Sequence, residues 1–325
     1  MINISKFIQT NKVGSEVEAL IAVVSPILLG ITLSLNRSIV DKIGGLDNVS
    51  LELLSRLYKP GDGDCGISFE YAVHDAIINY NGQVLDKIDI ALNKYCRING
   101  GDPTSILFGA EKSGAMQLIE SVKEHLTDES KLLTGVRGKP ILLKRHISGV
   151  IGAFRKHSER EKLPSSINGL WKADLFVGRT EPDKWVGTTV KINPSQLEAA
   201  RGLRLAIVPA KEGRTDKIYK NELKNLIVCP LPYDQSFMEI FYRGWMIAKQ
   251  FLNAGAKLPK EVYLPIGADR QVCRFLEERR KFPILNVISA LQSVTQQNLV
   301  SVEEKNVNID SKTMINKIIA PISIQ

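Results

Sequence analysis

The sequence predicts an α/β fold, a mixed sheet flanked by helices behind a helical N-terminal region, on three observations. Residues 171–210 alternate and break in the order strand, turn, strand, helix, strand. Two stretches, near 68–81 and 236–253, repeat apolar residues at helical spacing. A short apolar run, Leu226-Ile227-Val228-Cys229, is bounded by polar residues and Pro230, as a buried strand is.

In the first of these, Ala173, Leu175 and Val177 alternate with Lys172, Asp174 and Phe176 over Trp171–Gly178. Arg179–Lys184, with Glu181-Pro182-Asp183, cannot extend a strand and makes a turn. Trp185–Asn193 alternates again, with Val186, Thr188, Val190 and Ile192 on one face and Gly187, Thr189, Lys191 and Asn193 on the other. Pro194 ends that strand, because it brings no N–H to the ladder. Ser195-Gln196-Leu197-Glu198 has the spacing of a capping box and predicts a helix that Gly202 closes. Leu203–Val208 follows as a buried strand.

The flanks are read in the same way. Residues 1–58 are predicted helical, with Leu51, Leu53, Leu54 and Leu57 near helical spacing. Lys59–Asp64 is a turn-rich loop. A helix is expected from about Ser68 to Asn81, burying Phe69, Val73, Ala76, Ile77 and Tyr80 and ending at Asn81-Gly82. Further helices are expected over 84–130, around a break at Gly100-Gly101-Asp102-Pro103. The divisions that result are a helical region over 1–60, a core over 61–255 with a helical and basic insertion at about 84–164, and an extension over 256–325.

The chain has 325 residues, enough for one large domain or two small ones, and a net charge of +8 that favours polyanionic partners. Eight Lys and Arg between Gly135 and Pro164 face only Glu159 and Glu161, which places most of that excess in one segment. Its Arg137, Lys139, Lys144, Arg145, Arg155 and Lys156 form either a solvated helix face or a surface that tracks phosphates. The four cysteines are widely spaced, without a zinc pattern or a disulfide framework, and no leader opens the chain; a cytoplasmic location is expected. Ala19–Asn36 carries no charge, yet Ser25, Pro26, Gly30, Thr32 and Ser34 dilute it, so a buried helix is preferred to a membrane anchor.

Asp174 and Lys191, seventeen residues apart on adjacent predicted strands, stand where the PD-(D/E)xK phosphodiesterase superfamily carries its aspartate and lysine. The segment resembles that family, whose fold is restriction-endonuclease-like: an acid-bearing helix, then strands of which one carries the aspartate and the next an acid, one residue and a lysine. Glu70 is the match for the helix acid. The resemblance implies Mg²⁺- (or Mn²⁺-) dependent hydrolysis of DNA phosphodiester bonds, with a place in restriction or anti-phage defence. It implies DNA as partner, and allows a partner protein of such a system or a homo-oligomer.

The chemistry accounts for those residue types. A divalent cation polarises phosphoryl oxygens and acidifies an attacking water, carboxylates hold it, and a lysine orients the water. Where the family has its second acid, this chain has Thr189. Three readings stay open: Glu198 supplies the missing acid, Glu70 completes the site with Asp174, or the fold binds a nucleic acid or a protein without cleaving. Two other patterns are weaker. Gly61-Asp62-Gly63-Asp64-Cys65 is similar to the cysteine loop of ovarian-tumour-type deubiquitinases, but no histidine follows in a matching strand. Glu70 and His74 share a helix face at i, i+4, a spacing too short to specify a metal pair.

Overall fold

A computed structural model describes residues 15–108, 125–134, 140–165, 167–211, 215–232 and 237–293. Arg137, Lys139 and the side chain of Arg155 lie outside that description, as does the part of the extension beyond residue 293. The helices are α1 (Ser15–Leu33), α2 (Arg37–Ile43), α3 (Leu51–Leu57), α4 (Asp64–Ile78), α5 (Gly82–Ile90), α6 (Leu143–Arg155), α7 (His157–Arg160), α8 (Phe237–Asn253), α9 (Gly267–Glu278) and α10 (Ile284–Ser293). The strands are β1 (Thr104–Leu107), β2 (Lys131–Leu132), β3 (Ile141–Leu142), β4 (Leu175–Arg179), β5 (Lys184–Val190), β6 (Arg204–Pro209), β7 (Tyr219–Asn221) and β8 (Leu226–Leu231).

The strands form one mixed eight-stranded sheet with the main order β1-β4-β5-β6-β8-β7. Its centre, β5-β6-β8, is parallel, while β4 pairs antiparallel with both β1 and β5. Parallel strands are covered on both faces, and β4, β6 and β8 are buried throughout. One face (Leu175, Val177, Val186, Val190, Leu205, Ile207) packs with α1, α4, α8 and α9. On the other face Phe176 and Trp185 meet Leu143, Ile147 and Val150 of α6.

Helix α1 runs through the middle of the first layer. Gly244 of α8 lets the two helices approach so closely that a Cβ there would stand 3.0 Å from Val23. The stretch Glu16–Leu33 is long and apolar enough to cross a membrane, and 67% of it is buried inside the fold. Phe69 of α4 and Phe241 of α8 meet beside it with ring centroids 5.0 Å apart, and burial of each large side chain contributes about 1.5–3 kcal/mol.

Several expectations need correction. Helix α4 begins at Asp64, earlier than its apolar stripe suggests, and ends at Ile78. Tyr80 is therefore exposed in a left-handed turn, and Asn81 caps α5 through its side chain instead of ending α4. The stretch 84–130, expected to hold further helices around a break at Gly100–Pro103, contains strand β1 just after that break, and β1 pairs residue for residue with β4. The residues preceding Asp174 form a 3-10 turn, Leu170–Lys172, rather than the start of a strand. The helix predicted from Ser195 does not form. Asn193, not Ser195, is the capping residue, accepting from the Ser195 N–H at 3.0 Å, and only one 3-10 turn, Pro194–Gln196, follows. Glu198 instead points to Lys172 and forms an ion pair with it.

Candidate functional site

The site is assembled where β4 begins and β5 ends. Thr188 accepts from the Asp174 N–H (2.8 Å) and Phe108 donates to the Asp174 carbonyl (2.9 Å), so the sheet fixes this backbone on both sides. Beyond that point β4 no longer accompanies β5, and the Val190 N–H has no strand partner on that side. The Asp174 carboxylate takes its place: Oδ2 accepts from Val190 N (2.9 Å), Thr189 Oγ1 (3.0 Å) and Lys191 Nζ (2.9 Å). Asp174 is fully buried, and a carboxylate keeps its charge in such a place only when hydrogen-bonded and paired.

Lys191 joins two acids. Its backbone continues the ladder by donating to Ile207 O at 3.0 Å, and its ammonium donates to Asp174 and, at 3.2 Å, to Glu70 Oε1. Glu70 arrives two turns into α4, from the layer on the opposite face, and meets the lysine past the last residue of β5. Burial works to lower the Lys191 pKa, but attraction to Asp174 and then Glu70, with the hydrogen bonds to both, outweighs it and raises the value above that of an ordinary lysine.

This cluster opens into a cavity of about 620 Å³, large enough to accommodate a nucleotide-sized group. One wall is Gly63, Gly66, Ile67 and Glu70 of the loop and first turns of α4; the other is Val190–Ile192 and Ser195–Glu198. Glu198 thus reaches the cavity, but from its edge. Lys172 lowers its pKa by hydrogen bonding, with smaller attractions from Arg204 and Lys191. It is 64% exposed, so the pair with Lys172 contributes little to stability.

Asp174, Lys191 and Glu70 are therefore brought together, and Glu198 lies beside them. His74, one turn on from Glu70, has Nδ1 3.0 Å from Ser105 Oγ on β1. Among the described residues no three His, Cys, Asp or Glu gather as a metal cage. Two carboxylates sharing one lysine at a cavity do fit Mg²⁺, which keeps several waters and needs only one or two protein carboxylates. The cysteine-loop reading fares worse. Burial pushes the Cys65 thiol up to about 11, opposite to what a nucleophilic thiolate requires.

Of the basic segment, α6 buries its apolar face against the sheet. Lys144 pairs with Asp128 at 3.3 Å, Arg160 lies 3.9 Å over the Trp171 ring, and Arg145 and Lys156 are exposed. Asp174, Thr189 and this helix lie on the same face of the sheet, by the alternation that also puts Phe176 and Trp185 there.

Arg204 escaped the sequence reading. It is buried at the start of β6, on the same face, and donates to the Gly169 carbonyl. The signal was present, since Arg204 is the only charge in the apolar run Leu203–Val208. Comparison of the chain with protein-family models, with curated proteins and with solved structures finds no match.

Proposed function

We propose that this protein is a metal-dependent nuclease of the restriction-endonuclease-like type, hydrolysing DNA phosphodiester bonds. One observation carries the reading: Lys191 hydrogen-bonds both Asp174 and Glu70 beside a cavity that admits a nucleotide. Mg²⁺ or Mn²⁺, when bound, supplies a polarised phosphoryl oxygen and a more acidic water. Glu70 from the cavity wall and Asp174 behind it are the residues to hold that ion. The Lys191 ammonium orients the attacking water and balances charge developing on the phosphate. Arg145 and Lys156, exposed on the face that also carries Asp174, hold the DNA backbone. Glu198 is an auxiliary acid, available once it leaves Lys172. By family analogy the setting is restriction or anti-phage defence, with a partner protein of such a system.

The test is plasmid cleavage with Mg²⁺ or Mn²⁺ by wild type, Asp174→Ala, Lys191→Ala and Glu70→Gln. Loss of at least about 100-fold in each variant is expected from removal of a residue that acts in the transition state. Cleavage that survives in Asp174→Ala and Lys191→Ala defeats the assignment.

A second reading has a specific observation behind it. Thr189 stands where the family has an acid, and its hydroxyl is committed to Asp174. A non-cleaving DNA-binding subunit would show salt-dependent DNA binding and no cleavage with either ion.

A further inference from the structure

We propose that the cavity beside Lys191 is a nucleoside subsite: it takes the sugar and base adjoining the scissile phosphate, and so selects DNA with an unpaired nucleotide. This rests on the reading of Glu70, Asp174 and Lys191 as a nuclease site, and names the form of DNA that site accepts.

The first wall is a face of α4 left bare. Gly63, Gly66, Ile67 and Glu70 recur at i, i+3, i+4 and i+7, so a single stripe of the helix faces the cavity. The backbone does not require glycine there. Gly63 has φ −64° and ψ −27°, and Gly66 lies within the helix, away from positive φ. Crowding does not require it either, since a Cβ on either residue would meet no atom within 4 Å. A glycine inside a helix costs stability relative to alanine. What the two glycines leave is space, on the same stripe as Glu70 and within two turns of it.

The second wall is preformed. Asn193 Oδ1 accepts from Ser195 N (3.0 Å) and Ser195 Oγ (2.8 Å), which holds the turn Pro194–Gln196 just past the end of β5. Leu197 follows that turn, is buried, and accepts from Lys224 Nζ through its carbonyl. Ile192 and Leu197, with Ile67 on the first wall, are apolar surfaces for a base or sugar. Ser195 and Gln196 carry groups that both donate to and accept from a base edge.

Charge decides which part of a nucleotide enters. The charged groups on the walls are Glu70 and Glu198, both acids, and Lys191, whose ammonium is already shared by Glu70 and Asp174. The scissile phosphate belongs beside the acids and their ion, and a second phosphate would find no further cation among the described lining residues. The neutral part of the nucleotide is what fits, and about 620 Å³ holds it. A paired base would first have to leave its stack, so a nucleotide already unpaired enters most readily.

The test is fluorescence anisotropy in EDTA on three duplexes of equal length and phosphate count. One carries a thymidine paired with adenine, one the same thymidine facing an abasic residue, and one abasic residues on both strands. Wild type should bind the unpaired thymidine at least about 10-fold more tightly than the other two, because the cost of unpairing is removed and the base is present. Gly66→Leu, which puts a side chain into the space, should bring that duplex down to the affinity of the doubly abasic one. Gly63→Leu fills the same stripe should the first variant not fold.

No binding, equal affinity for all three, a gain shared by the doubly abasic duplex, or a preference that persists in a folded leucine variant overturns the proposal. Adding Mn²⁺ separates it from the nuclease reading. Preference for the unpaired thymidine without cleavage of any duplex keeps the nucleoside subsite and removes the nuclease. Cleavage without that preference does the reverse.

Discussion

Thr189 Oγ1 donates to Asp174 Oδ2 at 3.0 Å, so the residue that replaces an acid in the resembled family works on the acid that remains. A second carboxylate there would face a fully buried Asp174 across one hydrogen-bond length, and like charges so placed cannot both ionise cheaply. Thr189→Val removes the hydroxyl and keeps the shape. A loss of about 1.5–3 kcal/mol in urea unfolding is expected, the worth of a hydrogen bond to a charged group. Unchanged stability would mean the bond contributes nothing.

Lys191 is protonated more tightly in the folded chain than in the unfolded one. Its contribution is therefore fully present below the ordinary lysine pKa and is lost as pH rises through the raised folded value. Comparing unfolding of wild type and Lys191→Met from pH 8 to 12 isolates this residue from other lysines and tyrosines. The stability difference between them should shrink above about pH 10.5. A difference that stays flat to pH 12 would falsify the ion-pair assignment.

His74 and Asp75 adjoin on α4 and are perturbed in opposite senses. Burial lowers His74 to about 4, with His125 adding a smaller repulsion, and burial raises Asp75 to about 6 against a hydrogen bond from Asn79. As pH falls from about 6.5 to 4 the unfolded chain takes up the histidine proton first, so the His74 contribution is lost in that window. Over nearly the same window the unfolded chain also protonates Asp75 later than the folded one, so folding gains from Asp75 as pH falls. The two slopes offset each other. His74→Gln should leave a protein whose stability rises on acidification from pH 6 to 4, measured by thermal melts. If that slope does not differ from wild type, His74 titrates normally.

Arg145 and Lys156 are exposed, and the proposed function assigns them to phosphate contacts. The double variant Arg145→Ala/Lys156→Ala should reduce the slope of log affinity against log salt by about 2, close to one per lost contact. Fluorescence anisotropy on a duplex, titrated at several salt concentrations, gives the slope. An unaltered slope places the DNA elsewhere on the protein.

The sequence by itself determined that a mixed α/β sheet would form and that Asp174 and Lys191 would stand on adjacent strands or at their ends; it ran the second strand to Asn193, three residues beyond the observed end of β5 at Val190. What it placed rests on alternation and on turn residues, which act over a few neighbours. It misplaced the helix after Asn193, because Ser195 and Glu198 match a capping box locally, while Lys172, distant in sequence, takes the glutamate. It took Thr104–Leu107 for helix, since pairing with β4 is a non-local contact that overrides propensity.

Only the tertiary structure decided which acid stands with Asp174. Glu70 is more than a hundred residues away in sequence, and no spacing rule measures that separation. The packing of α4 on the sheet turns Glu70 toward the end of β5, and Lys191 spans what remains. The sequence marks Arg204 as a lone charge in an apolar run, but only the fold shows its partner, the Gly169 carbonyl 35 residues away.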